Sequence, residues 1–147
     1  MKYTPGMDAQ RFHKLAEELA GRDPQLAARL REVREAARAL REHAFLAVEA
    51  FRQRASELGA PYLGNIDVSG VEPDDKHVDA VQFVVARGRL QLLCIAIARG
   101  EGKTRVVGPF KRGQKEGPCA ESGLRGREVE ELLEERIAAL VREAAGA

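Results

Sequence analysis

The stretch Val78-Asp79-Ala80-Val81-Gln82-Phe83-Val84-Val85-Ala86-Arg87-Gly88-Arg89-Leu90-Gln91-Leu92-Leu93-Cys94-Ile95-Ala96-Ile97-Ala98 decides the fold. Two β-branched, apolar runs flank the tight turn Arg87-Gly88-Arg89, which is the pattern of an antiparallel hairpin. The second run, from Leu90 to Ala98, is apolar on both faces of a period-two strand. Such a strand belongs in the centre of a sheet, covered on both sides by helices or by a partner chain. Working outward, Ile66 to Val71 reads as a first strand, followed by the acidic loop Glu72-Pro73-Asp74-Asp75-Lys76. Val78 to Ala86 is then the second strand and Leu90 to Ala98 the third. The turn Gly100-Glu101-Gly102 leads into a fourth strand from Thr104 to Phe110. Residues 61–110 therefore predict a four-stranded, mainly antiparallel meander.

The period before Pro61 is helical. Asp8 is placed to cap a segment in which Phe12, Leu15, Ala16 and Leu19 recur at helical spacing, and Gly21 ends it. Asp23-Pro24 starts a second helix, with Asp as N-cap and Pro at the first position, where its missing N–H costs nothing. Leu26, Leu30, Val33, Ala37, Leu40, Ala44, Ala47 and Phe51 follow with spacings of four and three, a heptad seam that Leu58 extends once the mismatch at Arg54/Ala55 is allowed. Gly59-Ala60-Pro61 is the stop signal. A helix of about 34 residues is about 51 Å long, so part of its seam must pack on something beyond the sheet. The first helix covers a portion in a hairpin, and a second copy of the chain is the economical cover for the rest. At the other end, Val129, Leu132, Leu133, Ile137, Leu140, Val141 and Ala144 share one face of a C-terminal amphipathic helix in residues 127–147. Glu128, Glu130 and Glu131 favour its N-terminus.

The fold expected is α+β in one domain over residues 1–147: a helical hairpin (1–60), a β-meander (61–110), a glycine-rich loop (111–126) and a C-terminal helix. The 147 residues suffice to bury a core, and 44% hydrophobic against 32% charged residues excludes a wholly disordered chain. No run approaches the roughly 18 consecutive apolar residues of a membrane span. Two cysteines cannot staple a domain of this size, and the first residues lack an apolar signal core; both predict a reducing, cytoplasmic setting.

A formal net charge of +1 hides a pattern. Residues 58–86 carry five acids and one base, residues 87–115 eight bases and one acid, and residues 116–147 eight acids and four bases. In an antiparallel meander alternate turns lie at opposite ends. Arg87 and Arg89 then share an end with Lys111, Arg112 and Lys115. The other end holds Arg99, Lys103 and Arg105 and receives Glu72, Asp74, Asp75 and Asp79, so it compensates itself. The first end is the candidate binding surface: Arg87, Arg89, Lys111, Arg112 and Lys115.

Other chemistry is weaker. Gly100-Glu101-Gly102-Lys103-Thr104 echoes the tail of a phosphate-binding loop, but Ile97 stands where the motif needs glycine and a strand follows where it needs a helix. Cys119, near Arg112 and Lys115, suits a reactive thiol, yet nothing in the sequence places His13, His43 or His77 beside it. Cys94 reads as core. Asp74, Asp75, His77 and Asp79 have donor types that bind a divalent ion, without any specific metal motif. The glutamates fall on the solvent faces of helices, so no general acid or base stands out. Only Phe83 and Phe110 lie on strands, there is no Trp, and no recognition helix occupies the basic stretch, which leaves backbone-directed contact as the most a nucleic acid would find. The expectation is a non-enzymatic, homodimeric interaction or adaptor module without cofactor. It presents the basic sheet end to an acidic protein partner. Nucleic-acid or other polyanion binding at that end is the alternative, and a small enzyme or thiol sensor using Cys119 comes third.

Overall fold

A computed structural model describes residues 8–73, 79–114 and 117–146. The architecture is α+β. Helix α1 (Ala9–Gly21) is followed by the 34-residue helix α2 (Pro24–Glu57) and one 3₁₀ turn at Pro61–Gly64. Strands β1 (Asp67–Val68), β2 (Glu72–Pro73), β3 (Ala80–Arg87), β4 (Leu90–Ile97), β5 (Lys103–Lys111) and β6 (Cys119–Ser122) come next, and helix α3 (Arg127–Ala144) closes the chain.

Local chemistry sets the helix boundaries. The Asp8 carboxylate accepts from the Arg11 amide at 3.2 Å and that of Asp23 from the Leu26 amide at 2.9 Å, with Pro24 in the first turn of α2. Each cap satisfies an amide that has no partner within its own helix. Beyond the end of α2, Gly59 takes φ 78°, a left-handed conformation that glycine adopts without strain.

The sheet is antiparallel throughout, in the order β1-β3-β4-β5-β6, with β2 also pairing β3 beside β1. It has two more strands than the expected four. Ile66 to Val71 and the acidic loop contribute two short pairings to β3 instead of one strand, and Cys119–Ser122, in the expected irregular loop, adds an edge strand to β5. Gly88 and Arg89 form the two-residue connection of the β3–β4 hairpin, with Gly88 at φ 58°, as such tight hairpins favour. A β-bulge interrupts the β4–β5 pairing between Gln91 and Leu93, opposite Gly108.

Both α2 and α3 lie on one face of the sheet. Leu40, Ala44 and Val48 of α2 and Val129, Leu133, Ile137 and Leu140 of α3 pack against Phe83, Val85, Leu92, Cys94 and Val106. A smaller cluster joins Val33 and Ala37 to Val81, Ala96 and Ala98. The buried stripe of α2 runs Val33, Ala37, Leu40, Ala44, Val48 and Ala55, shifting by one residue from the heptad register at Val48. Those positions suit a nearly straight helix on a sheet, since the repeat is close to eleven residues. Most of the seam that demanded a cover is therefore covered within the chain. What stays uncovered is α1, none of whose residues is buried: Phe12, Leu15 and Leu19 are 54%, 43% and 49% exposed.

Two arginines of α2 hold the crossing segment to the helix. Arg41 donates to the carbonyls of Ser69 (3.0 Å) and Val68 (3.1 Å), and Arg52 to those of Gly64 (2.9 Å) and Ile66 (2.7 Å). The approach is close enough at Gly64 that a Cβ there would stand 2.7 Å from Cγ of Arg52.

Candidate interaction surfaces

The β3–β4 turn and the exit from β5 meet at one end of the sheet. Leu90 pairs with Lys111, and the Arg112 amide donates to the Arg89 carbonyl at 2.7 Å. The Lys111 amide is capped by Oε1 of Gln114 at 3.1 Å, which fixes the backbone from which Lys111 and Arg112 project. Arg89, Lys111 and Arg112 are exposed, and no carboxylate among the described residues lies within ion-pair distance of them. Arg87 is different: it is half-buried, and its guanidinium donates to the Leu63 carbonyl, fastening the 3₁₀ turn to the sheet. Lys115 lies outside the described residues.

At the opposite end Arg99, Lys103 and Arg105 each have a partner. Arg99 pairs with Asp79 at 3.2 Å, and Lys103 and Arg105 each reach Glu121 at 3.1 Å. Hydrogen bonds from Lys103 and then Arg105 hold the Glu121 carboxyl below its ordinary range. Asp79 supplies part of the expected balance and Glu121, on β6, adds a carboxylate that was not expected, while Asp74 and Asp75 lie outside the described residues. The strand signal of β6 is only four residues long and is flanked by glycines and a proline. Arg29 of α2 also donates to the Gly100 carbonyl at 3.3 Å, which ties the start of the long helix to this end. A groove of about 460 Å³ opens here, lined by Ala80, Ile95, Ile97, Arg99, Lys103 and Arg105 among others.

The groove lies on the face of the sheet opposite the helices. Along β4, Leu90, Leu92, Cys94 and Ala96 are buried while Gln91, Leu93, Ile95 and Ile97 are half-buried. Register carries that second set across the sheet: Val84, Leu93, Val107 and Cys119 form one row, and Gln82, Ile95, Arg105 and Glu121 the next. None of Val84, Leu93, Ile95, Ile97 or Val107 belongs to either core cluster. The expected cover on both sides of the third strand is thus present on one side, and no helix among the described residues lies on the other.

Cys119 is exposed and sits on this open face. Cys94 faces the helices, where burial pushes its thiol up to about 12, and both cysteines are free. His43 stands between α2 and α3, with Nδ1 3.7 Å from Glu130 and Nε2 3.2 Å from Glu134, so it serves the helix contact and not Cys119. Of the four residues with metal-binding donors, Asp74, Asp75 and His77 lie outside the described residues and Asp79 is paired with Arg99. The Gly100–Gly102 segment is the β4–β5 turn and runs into a strand. No helix among the described residues is long and apolar enough to cross a membrane.

No family model, curated protein or solved structure matches this chain.

Proposed function

We propose that the chain is a non-enzymatic interaction module that works as a homodimer and offers the Arg89, Lys111 and Arg112 end of its sheet to an acidic protein partner. Arg87 and Lys115 flank that end in sequence. Arg87, bonded to Leu63, acts there as a support for the turn more than as a contact. The observation that carries the reading is the contrast between the two ends. Cations at one are paired with Asp79 and Glu121, whereas the three at the other project from paired backbone with no described carboxylate in reach. Exposed cations on a rigid frame gain from a complementary acidic surface, which they attract and orient.

Polyanion binding at the same end is the alternative. Binding of single strands without sequence preference draws on aromatic platforms as well as cations. Phe83 is 1% and Phe110 8% exposed, so neither strand phenylalanine is free to stack on a base. Tyr62, 69% exposed beside Leu63, offers a single ring where single-strand binding stacks successive bases, which favours the acidic protein. The reading is tested by titrating a labelled oligoglutamate peptide, a DNA oligonucleotide and an RNA oligonucleotide at about 50 and 200 mM salt, where phosphate contacts separate steeply. Peptide binding that disappears in the triple variant Arg89→Glu, Lys111→Glu, Arg112→Glu supports it. Oligonucleotide binding that is tighter, salt-steep and equally sensitive to the variant replaces it with the alternative.

A further inference from the structure

Resting on the homodimer reading above, we infer that two copies of this chain associate through the open faces of their sheets, with Leu93 and Ile95 of β4 at the centre of the contact. The face has the anatomy of an interface. Val84, Leu93, Ile95, Ile97 and Val107 form a contiguous apolar centre by register. Charged side chains stand towards one margin, where Arg99 is matched by Asp79 and Lys103 and Arg105 by Glu121. An apolar centre with a polar margin is how protein interfaces are built. With Glu101 also lining the groove, this margin carries three cations and three carboxylates, so a second identical face brought against it meets no net charge.

Area points to a second copy as the occupant. The sheet is five strand positions wide, with long strands of eight or nine residues and edge strands of two to four. At about 4.8 Å per strand and about 3.3 Å per residue, with each strand taken at its own length, the footprint is roughly 500 Å² per copy, or roughly 1,000 Å² for the pair, about what a specific interface must clear. Two sheets facing one another about 10 Å apart form a sandwich, the usual way to bury a second apolar sheet face. The arrangement is isologous, so a single patch serves both copies and the assembly closes at two. It also supplies the missing cover of the central strand. A contact through α1 is the competing route, since Phe12, Leu15 and Leu19 are exposed on one stripe, but a 13-residue helix offers a footprint of only about 200 Å².

The test is mass in solution by light scattering at about 100 μM for the full chain, Ile95→Glu, Val107→Lys and Leu15→Glu, with far-UV circular dichroism on each. Ile95 and Val107 face away from the helices, so neither change removes a core side chain. The expected result is twice 16.1 kDa for the full chain and for Leu15→Glu, and 16.1 kDa with an unchanged spectrum for Ile95→Glu and Val107→Lys. Should one of the sheet variants not fold, the other carries the test. A dimer that survives both sheet variants and is lost in Leu15→Glu overturns this surface while leaving a homodimer. A full chain that stays at 16.1 kDa overturns the homodimer itself, yet peptide binding at the basic end is read separately.

Discussion

Replacing Arg52 with Met should loosen the crossing between the long helix and the sheet. The guanidinium donates to the carbonyls of Gly64 at 2.9 Å and Ile66 at 2.7 Å and pairs with Glu49. Its side chain is 39% exposed, so water competes for these bonds. A charged donor to a buried carbonyl contributes about 1.5–3 kcal/mol; halved for exposure, and with the exposed Glu49 pair counted as nothing, the two bonds together contribute about 1.5–3 kcal/mol. Methionine keeps the stem that covers Gly64, which separates lost hydrogen bonds from lost packing. For a domain of this length each kcal/mol moves the midpoint by about 2–4 °C, so thermal unfolding should fall by about 3–12 °C. Hydrogen exchange should localise the effect. The Leu63 and Ile66 amides, bonded to Ala60 and Gly64, should lose protection before those of β4 do. Arg41→Met removes the equivalent bonds to Val68 and Ser69 three turns earlier, and separate sites should add. A midpoint unchanged to within about 1 °C in Arg52→Met, with Ile66 protection intact, would refute the claim that this arginine holds the segment.

The two thiols should differ sharply: at pH 8 a disulfide reagent should titrate Cys119 alone in the native protein and both cysteines in denaturant, because burial holds Cys94 protonated. Rapid native reaction of both would contradict the burial of Cys94. Glu121 has a folded pKa below its unfolded value, so its contribution is complete above the ordinary value of 4.5 and disappears as pH falls through the lowered one. The difference in unfolding midpoint between the full chain and Glu121→Gln should accordingly shrink as pH falls below that value; a constant difference would assign the effect to something other than charge. Leu133→Ala, at a side chain with no exposed surface, should cost about 2–5 kcal/mol, read by denaturant unfolding. Gly108→Ala should destabilise by more than about 1 kcal/mol, since φ there is +121° and a Cβ would stand 2.7 Å from the Gln91 carbonyl.

Much of the fold was legible because its signals are local. The caps Asp8 and Asp23, the Pro24 start, the Arg87-Gly88-Arg89 turn and the switch in period near Pro61 each act within a few residues. That the β3–β4 turn and the exit from β5 share one end followed from antiparallel geometry alone, and with it the meeting of Arg89, Lys111 and Arg112. What stayed illegible depends on distant partners. The alternation of Cys119–Ser122 is too short to announce a strand, and only its edge position on β5 makes it one. The heptad reading of α2 named Ala47 and Leu58 where Val48 and Ala55 are the buried residues, because the helix packs on a sheet, whose contact follows a straight axis, while Phe51 does pack against the core. Arg41 and Arg52 carry no sequence signal of their role beyond the eleven-residue separation that puts them on one helix face, and Arg87 was read as a free cation because the Leu63 carbonyl that holds it lies across the fold. The apolar outer face of β4 was visible in Leu93, Ile95 and Ile97, but sequence did not say that both helices would choose the other side.

The most direct test of the central claim is a residue-by-residue map of where an acidic ligand touches the chain: amide chemical shifts of the full-length protein during titration with an oligoglutamate peptide. The account predicts changes confined to Gly88, Arg89 and the Lys111–Gln114 segment, fading as salt is raised. Shifts centred on Arg99, Lys103 and Arg105, or none at peptide concentrations of about 1 mM, where even weak complexes populate, would contradict it.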